Sequence, residues 1–457
     1  MSVTNLTRGA IVKIGWTTIS YGVVQFIRLL NNIVLARLLA PQLFGLMVIV
    51  NAIRTGIELL SDVGISQNIV SNPKGASPDF LDTAWTLQVL RGLFLGAVCF
   101  LSGNFATDFF DQHALAEVLP VAALFFVFTG FDSTGRALVQ KQLLVKRLSV
   151  FEVGIALLSF AAHVSLALIT PTIWALVLGS VVSGAATLVA SFFLVPGLRH
   201  RFMIHRASAR QLIVFGKWIF LSSIIYFLAM NFDRLYLSQQ IPLAALGIFG
   251  IARTLADTVT LLVARCGNML LFPMVAAMQA EGPEVRRHLR SGRRQLLFGA
   301  AIALALFVAH SDRIVALLYD ERYQAAATIL PALLLGVWFA ILSTVNESIL
   351  IGIRKPAASA FANVAKFVAY LVAVPLAFQS YGLPAAVLVL SAGEAVKYAM
   401  LWLFGRREHL GFGRDDLVLT IIFGMAILGF RELLVAAGLT GGIEQLYPWA
   451  ATMLGRA

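Results

Sequence analysis

The chain is predicted to be an all-α polytopic membrane protein: two parallel six-helix lobes around a central cavity, with one or two extra carboxy-terminal spans. Three observations lead there. Of its 457 residues, 59% are hydrophobic and 13% charged, whereas charged residues make up about a quarter of a soluble protein. Apolar windows of about 20 residues, the length that crosses the hydrocarbon core, follow one another almost without interruption. The joints between them are basic on alternate sides, as cytoplasmic loops are.

The first lobe is expected over residues 1–210. Its apolar cores run from Ile14 to Leu38, Phe44 to Val63, Ala84 to Phe105, Val118 to Phe131, Val150 to Ile169 and Ile173 to Val195. The second, over residues 211–408, has cores from Leu212 to Leu237, Leu243 to Leu271, Leu296 to Leu318, Ile329 to Ile351, Ala357 to Phe378 and Leu383 to Phe404. Residues 409–457 add a span from Leu417 to Ala437 and a tail around Tyr447, Pro448 and Trp449 that is too short to cross. Arg8 and Lys13 precede the first apolar run, which continues past Leu35 without a small-residue cleavage site, so an uncleaved first span is expected.

With the amino terminus in the cytoplasm, Arg136, Lys141, Lys146 and Arg147 share an inner loop, and Arg199, Arg201, Arg206 and Arg210 share the next. Arg286, Arg287, Arg290, Arg293 and Arg294 also fall inside, as do Arg354, Lys355, Arg406, Arg407 and Arg414. The opposite loops carry Asp108, Asp111 and Glu117 or are nearly uncharged, as at Thr170-Pro171-Thr172. The net charge of +12 is therefore read as a topology signal of a polytopic membrane protein, with no nucleic-acid partner. The longest joint, Gln279 to Gln295, is basic and expected to be helical. Cys99 and Cys266 lie in apolar segments and are read as small buried hydrophobes.

An internal repeat supports the lobes. Superposing Trp16 on Trp218 without gaps brings Asn31 onto Asp233 and Gly45 onto Gly247, and leaves Pro41 and Pro242 one position apart. Six spans separate equivalent positions, and an even number preserves orientation, so the copies are parallel.

Several strings then become recognisable: LLAPQLFGL from Leu38 to Leu46, FGKWIFLSS from Phe215 to Ser223, DRLYLSQ from Asp233, LLFPMVAAM from Leu270 and LIGIRKP ending at Pro356. Together they resemble the bacterial polysaccharide flippases, in the superfamily of the multidrug and toxin exporters and the lipid II flippase. Relatives commonly have fourteen spans, and this chain stops before completing the last. The resemblance implies movement of an undecaprenyl-diphosphate-linked oligosaccharide from the cytoplasmic to the periplasmic leaflet for exopolysaccharide, capsule or O-antigen assembly. It implies membrane lipids as surroundings, a polysaccharide polymerase and export machinery as partners, no enzymatic step and no cofactor beyond a coupling Na⁺ or H⁺.

The charged residues inside the spans fit that implication. Arg28 with Asn31 and Asn32, and Arg54 with Glu58, each share a helix face. Arg91, Arg253 with Asp257, Arg265, Lys366, and Glu394 with Lys397 complete the set. A charge at the helix centre costs about 2.5–3.5 kcal/mol, so such residues turn towards a bundle interior or a wet cavity. Arginine's forked donors match a diphosphate. In the lipid II flippase, cationic residues on the first, second and eighth spans line the substrate cavity, and Arg28, Arg54 and Arg253 occupy those spans here. The alternative is structural: Glu58 neutralises Arg54, Asp257 neutralises Arg253, Glu394 neutralises Lys397, and Arg37 snorkels. Asp233 with Arg234 is read as an interlobe or helix-end pair. Glu152, Glu347 and Asp132, without a visible helix partner, are candidates for the coupling ion. Pro120, Pro331 and Pro375 fall inside spans and are expected to kink them.

A multidrug or cation exporter of the same superfamily is the nearest rival, and would show acidic residues dominating the cavity. A membrane glycosyltransferase or polymerase would need a large extracytoplasmic loop or a compact acidic motif. Neither is present, nor is any metal-ligand spacing of histidines; His113, His163 and His310 are read as packing or interfacial residues. A receptor or scaffold would have no use for this many costly buried charges.

Overall fold

The structure, a computed structural model, describes the backbone of residues 3–59, 64–277, 283–353 and 355–449, and most of the side chains within them. Arg8, Lys13, Arg265 and Cys266 are described only in backbone, and Arg354 lies outside the described residues.

Apolar run length sets the elements. The first unit contains α1 (Val3–Leu38), α2 (Pro41–Leu59), α3 (Ile65–Ser71), α4 (Pro78–Phe110), α5 (Ala114–Ala122), α6 (Leu124–Phe131), α7 (Gly135–Lys141), α8 (Val145–Ile169) and α9 (Ile173–Ser191). Then follow α10 (Arg206–Gln240), α11 (Leu243–Ala277), α12 (Pro283–Ala309), α13 (Ser311–Leu318), α14 (Ala326–Gly352), α15 (Ala357–Tyr381), α16 (Leu383–Arg407) and α17 (Gly413–Ala436). Among the described residues, twelve helical segments are long and apolar enough to cross a membrane, and α10 covers the expected seventh span. Proline at the first position starts α2 and α4, where its missing N–H is no loss and its fixed φ suits the helix.

Two runs expected to be continuous are not. The fourth divides at Ala123 into α5 and α6, with Pro120 inside the first piece; proline withholds one helical hydrogen bond. The ninth ends at Ala309, and α13 follows after His310 as a separate helix. Its Asp312 and Arg313 end the apolar run that Leu296 begins. Pro331 and Pro375 lie within α14 and α15, which continue past them.

The chain packs as two compact units, Met1–Phe227 with Arg234–Gly247, and Leu228–Asp233 with Ile248–Ala457. In the first, α8 packs on α1 and α9 but buries only Ser149, His163 and Ala167, leaving Val150, Leu157 and Leu168 exposed as a lipid-facing surface. In the second, α14 is central, buried over most of its length among α12, α13, α15 and α16.

Two glycine pairs set close helix contacts in the first unit. A Cβ on Gly45 would stand 2.0 Å from the Leu243 carbonyl oxygen, and one on Gly247 would stand 2.0 Å from that of Pro41. The positions that the repeat superposes thus touch reciprocally. Gly92 of α4 faces Gly130 of α6, where a Cβ would come within 2.5 Å of the opposing Cα. Small residues let membrane helices approach to backbone contact.

The segment after α9 is a strap. Its backbone donates from Arg201 to Asp82 Oδ1 (3.1 Å), from Met203 to Thr86 Oγ1 (3.0 Å) and from His205 to Thr83 Oγ1 (3.0 Å). The His200 ring stacks on Trp85 with centroids 5.2 Å apart.

Candidate functional site

Both units hold charged side chains within their spans. In the first, Arg28 is exposed on α1 and, among the described residues, makes no hydrogen bond or ion pair; Asn31 and Asn32 are half-buried beside it. Arg54 of α2 lies over the Phe125 ring at 4.2 Å and interacts electrostatically with Glu58 one turn on. Arg91 of α4 donates to the Glu58 carbonyl at 2.7 Å. This satisfies a carbonyl at the end of α2 that has no helical partner. Glu152 of α8 pairs with Arg136 of α7 at 3.4 Å, a partner outside its own helix.

In the second unit, Arg253 of α11 lies between two carboxylates, 3.5 Å from Asp233 and 3.1 Å from Asp257. Asp233, expected to sit with Arg234, therefore pairs with Arg253. Glu394 does not pair with Lys397 on its own helix. It takes Lys366 of α15, which is fully buried, while Lys397 reaches Glu347 of α14 at 3.1 Å. The α14, α15 and α16 backbones are thus tied by ion pairs that also involve Ser359, whose hydroxyl donates to Glu347. Tyr370 closes the group, donating to the Leu390 carbonyl at 2.7 Å, with the Lys366 ammonium 5.3 Å from its ring centre. Three cations and four carboxylates stand together here, each in direct contact with a charge of opposite sign.

Sequence reasoning missed two further buried arginines in the second unit. Arg293, expected only as one of a basic run on the cytoplasmic side, is 1% exposed. Its Nη1 and Nη2 donate to Asp416 at 2.6 and 3.0 Å, and Nη2 also reaches Asn346 at 2.9 Å. Tyr398 donates to the same carboxylate at 2.8 Å. Arg431, fully buried, donates to both oxygens of Asp312 and to the Ala309 carbonyl. Arg293 opens the apolar part of α12 and Asp416 that of α17, a signal visible only once those helices are known to pack together. Cys99 is buried, its thiol directed at the Leu119 carbonyl. His163 packs against Gly179 and accepts or donates among Ser159 and Ser180. Among the described residues no group of three His, Cys, Asp or Glu could hold a metal.

Long apolar helices in two units, with ion-paired charges retained inside the spans, define a multi-pass membrane protein with a charged interior. Residues 34–328 match the model of the polysaccharide biosynthesis protein family, and the chain belongs to that family. It is 26% identical over 322 residues to the lipopolysaccharide biosynthesis protein WzxC of Escherichia coli K12, covering 70% of this chain and 65% of that one. Against the teichuronic acid biosynthesis protein TuaB of Bacillus subtilis 168 the identity is 21% over 295 residues, 64% of this chain and 61% of the relative. The matches thus span less than two thirds of those relatives. The fold is that of the lipid II flippase MurJ in its inward closed conformation (TM-score 0.72, 11% identity, 93% of this chain and 99% of that one). It is also that of an inward-facing MATE family multidrug resistance transporter (TM-score 0.68, 14% identity, 87% and 97%).

Proposed function

We propose that the protein is a flippase carrying undecaprenyl-diphosphate-linked oligosaccharide repeat units from the cytoplasmic to the periplasmic leaflet of the bacterial inner membrane, by alternating access of its two lobes. The observation that carries this reading is the family match over residues 34–328 in a chain with the fold of a lipid flippase. The amino terminus lies in the cytoplasm on this reading, and the product feeds exopolysaccharide, capsule or O-antigen assembly. The protein acts as a transporter and not as an enzyme.

Arg28 and Arg54 are the diphosphate contacts. A guanidinium in a site shielded from bulk water binds a phosphate through parallel charge-assisted hydrogen bonds. Arg28 makes no hydrogen bond or ion pair among the described residues, and the Arg54 guanidinium carbon stands 4.2 Å from the centre of the Phe125 ring. Arg28→Ala or Arg54→Ala is expected to abolish glycan export while the protein remains inserted, read as surface polysaccharide against membrane protein level. Normal export by both variants would remove these residues from the site.

Deleting the gene tests the reading as a whole. Complete lipid-linked units accumulating on the cytoplasmic leaflet, with surface glycan lost, are the expected result. Complete units on the periplasmic leaflet would identify a polymerase instead, and an unchanged lipid pool would turn the reading to small-molecule export.

A further inference from the structure

The first unit holds a polar cavity of about 320 Å³ where the carboxy-terminal ends of α2, α6 and α9 meet the middle of α4. Its charged lining is Glu58, Arg91, Asp132 and Arg136. Asp132 immediately follows α6 as its C-cap, and among the described residues its buried Oδ1 has no hydrogen-bond partner.

The neighbouring donors are engaged elsewhere. The Gln88 amide donates to the Thr129, Gly130 and Asp132 carbonyls at 2.9–3.2 Å. Arg91 is held by the Glu58 carbonyl, and Arg136 turns to Glu152 of α8. Ser133 Oγ meets His200 Nε2 at 2.9 Å. Two more buried polar atoms are also unsatisfied at this corner, Thr134 Oγ1 and His200 Nδ1. A carboxylate that no donor answers is costly when ionised, whereas the neutral acid supplies its own donor.

We propose that Asp132 is a proton-binding site of this cavity, taking up and releasing one proton at its carboxyl group. The lining favours a proton over a metal cation. Arg91 and Arg136 repel a second cation, whereas a proton disappears as a charge once it joins the carboxylate. Glu58 is the other acid of the lining, and the Arg54 charge one turn earlier on α2 already answers it. Burial pushes the Asp132 carboxyl up to about 7, with Arg136 opposing. Burial also pushes His200 down, with Asp82 opposing, so the histidine facing this corner is neutral where Asp132 titrates. That the proton is exchanged during a transport cycle rests on the flippase reading; that Asp132 binds one does not.

The test is an infrared titration of the full chain in nanodiscs, without substrate, from about pH 5 to about pH 9. A carboxylic-acid C=O band lost with a midpoint near about 7, missing from Asp132→Asn, and shifted to a higher midpoint in Arg136→Gln, is the expected result. The Arg136→Gln arm keeps the test decisive should Asp132→Asn fail to fold. A midpoint near that of a free aspartate, about 4, or a band retained in Asp132→Asn, would overturn the proposal. So would a band removed by Na⁺ at constant pH, which would make the ligand a metal cation. Because no substrate is present, failure here leaves the flippase reading standing, and an unchanged lipid pool in the deletion strain leaves the proton site standing.

Discussion

Asp416→Ala is expected to destabilise the second unit by about 3–5 kcal/mol, the usual cost of removing one partner of a buried pair. The substitution strands the Arg293 guanidinium, 1% exposed, and takes an acceptor from Tyr398 as well. Arg293 would retain Asn346 and the Phe412 ring, 4.4 Å from its guanidinium carbon; neither carries a negative charge. The measurement is the thermal midpoint of the purified protein in nanodiscs. The control is Arg293→Met with Asp416→Leu, which removes both charges and keeps the volume. That double variant should recover much of the loss, since well-packed apolar replacements of buried pairs are often neutral or stabilising. A single variant as stable as the parent would show that α12 and α17 do not depend on the pair.

Gly45→Ala should be nearly as damaging, although it adds one methyl group. That methyl would stand 2.0 Å from the Leu243 carbonyl oxygen, which belongs to backbone and cannot rotate away. Overpacking costs about 1–3 kcal/mol where side chains can yield, and the upper end is expected here. Gly247→Ala makes the mirror-image clash with the Pro41 carbonyl and should cost a similar amount. The double variant should cost clearly less than the sum, because the first methyl already separates the helix starts that the second would press apart. Gly22→Ala, with no atom within 4 Å of the new Cβ, is the control, expected to raise the midpoint slightly as alanine favours helix over glycine. Additive losses at positions 45 and 247 would mean two independent contacts.

The helices were legible because a bilayer demands a minimum length of apolar chain and little else. The break at His310 was not. Asp312 and Arg313 interrupt the run from Leu296 to Leu318, and only the burial of Arg431 against Asp312 explains why an acid is kept there. The membership of the charged groups was readable from cost alone, since no helix retains Lys366 or Arg253 without a partner. Their pairing was not, because sequence shows neighbours three or four residues apart and the structure joins residues such as Lys366 and Glu394 across different helices. Arg293 was hidden for the opposite reason: it stands in a basic run whose other members, Arg286, Arg287, Arg290 and Arg294, are exposed.

The strap that follows α9 bears on how this region can drift in evolution. Three of its ties come from main-chain N–H groups at alternate positions, 201, 203 and 205, so Asp82, Thr83 and Thr86 act as a surrogate strand edge laid along a helix. Nothing in those ties reads the side chains of Arg201, Met203 or His205, and almost any residue could replace them. Proline is the exception, because it has no donor to offer. The fixed quantity is length: one residue inserted or lost between His200 and Arg206 would put the donors out of step with their acceptors. Divergent relatives should therefore vary freely in composition through this stretch while conserving its count.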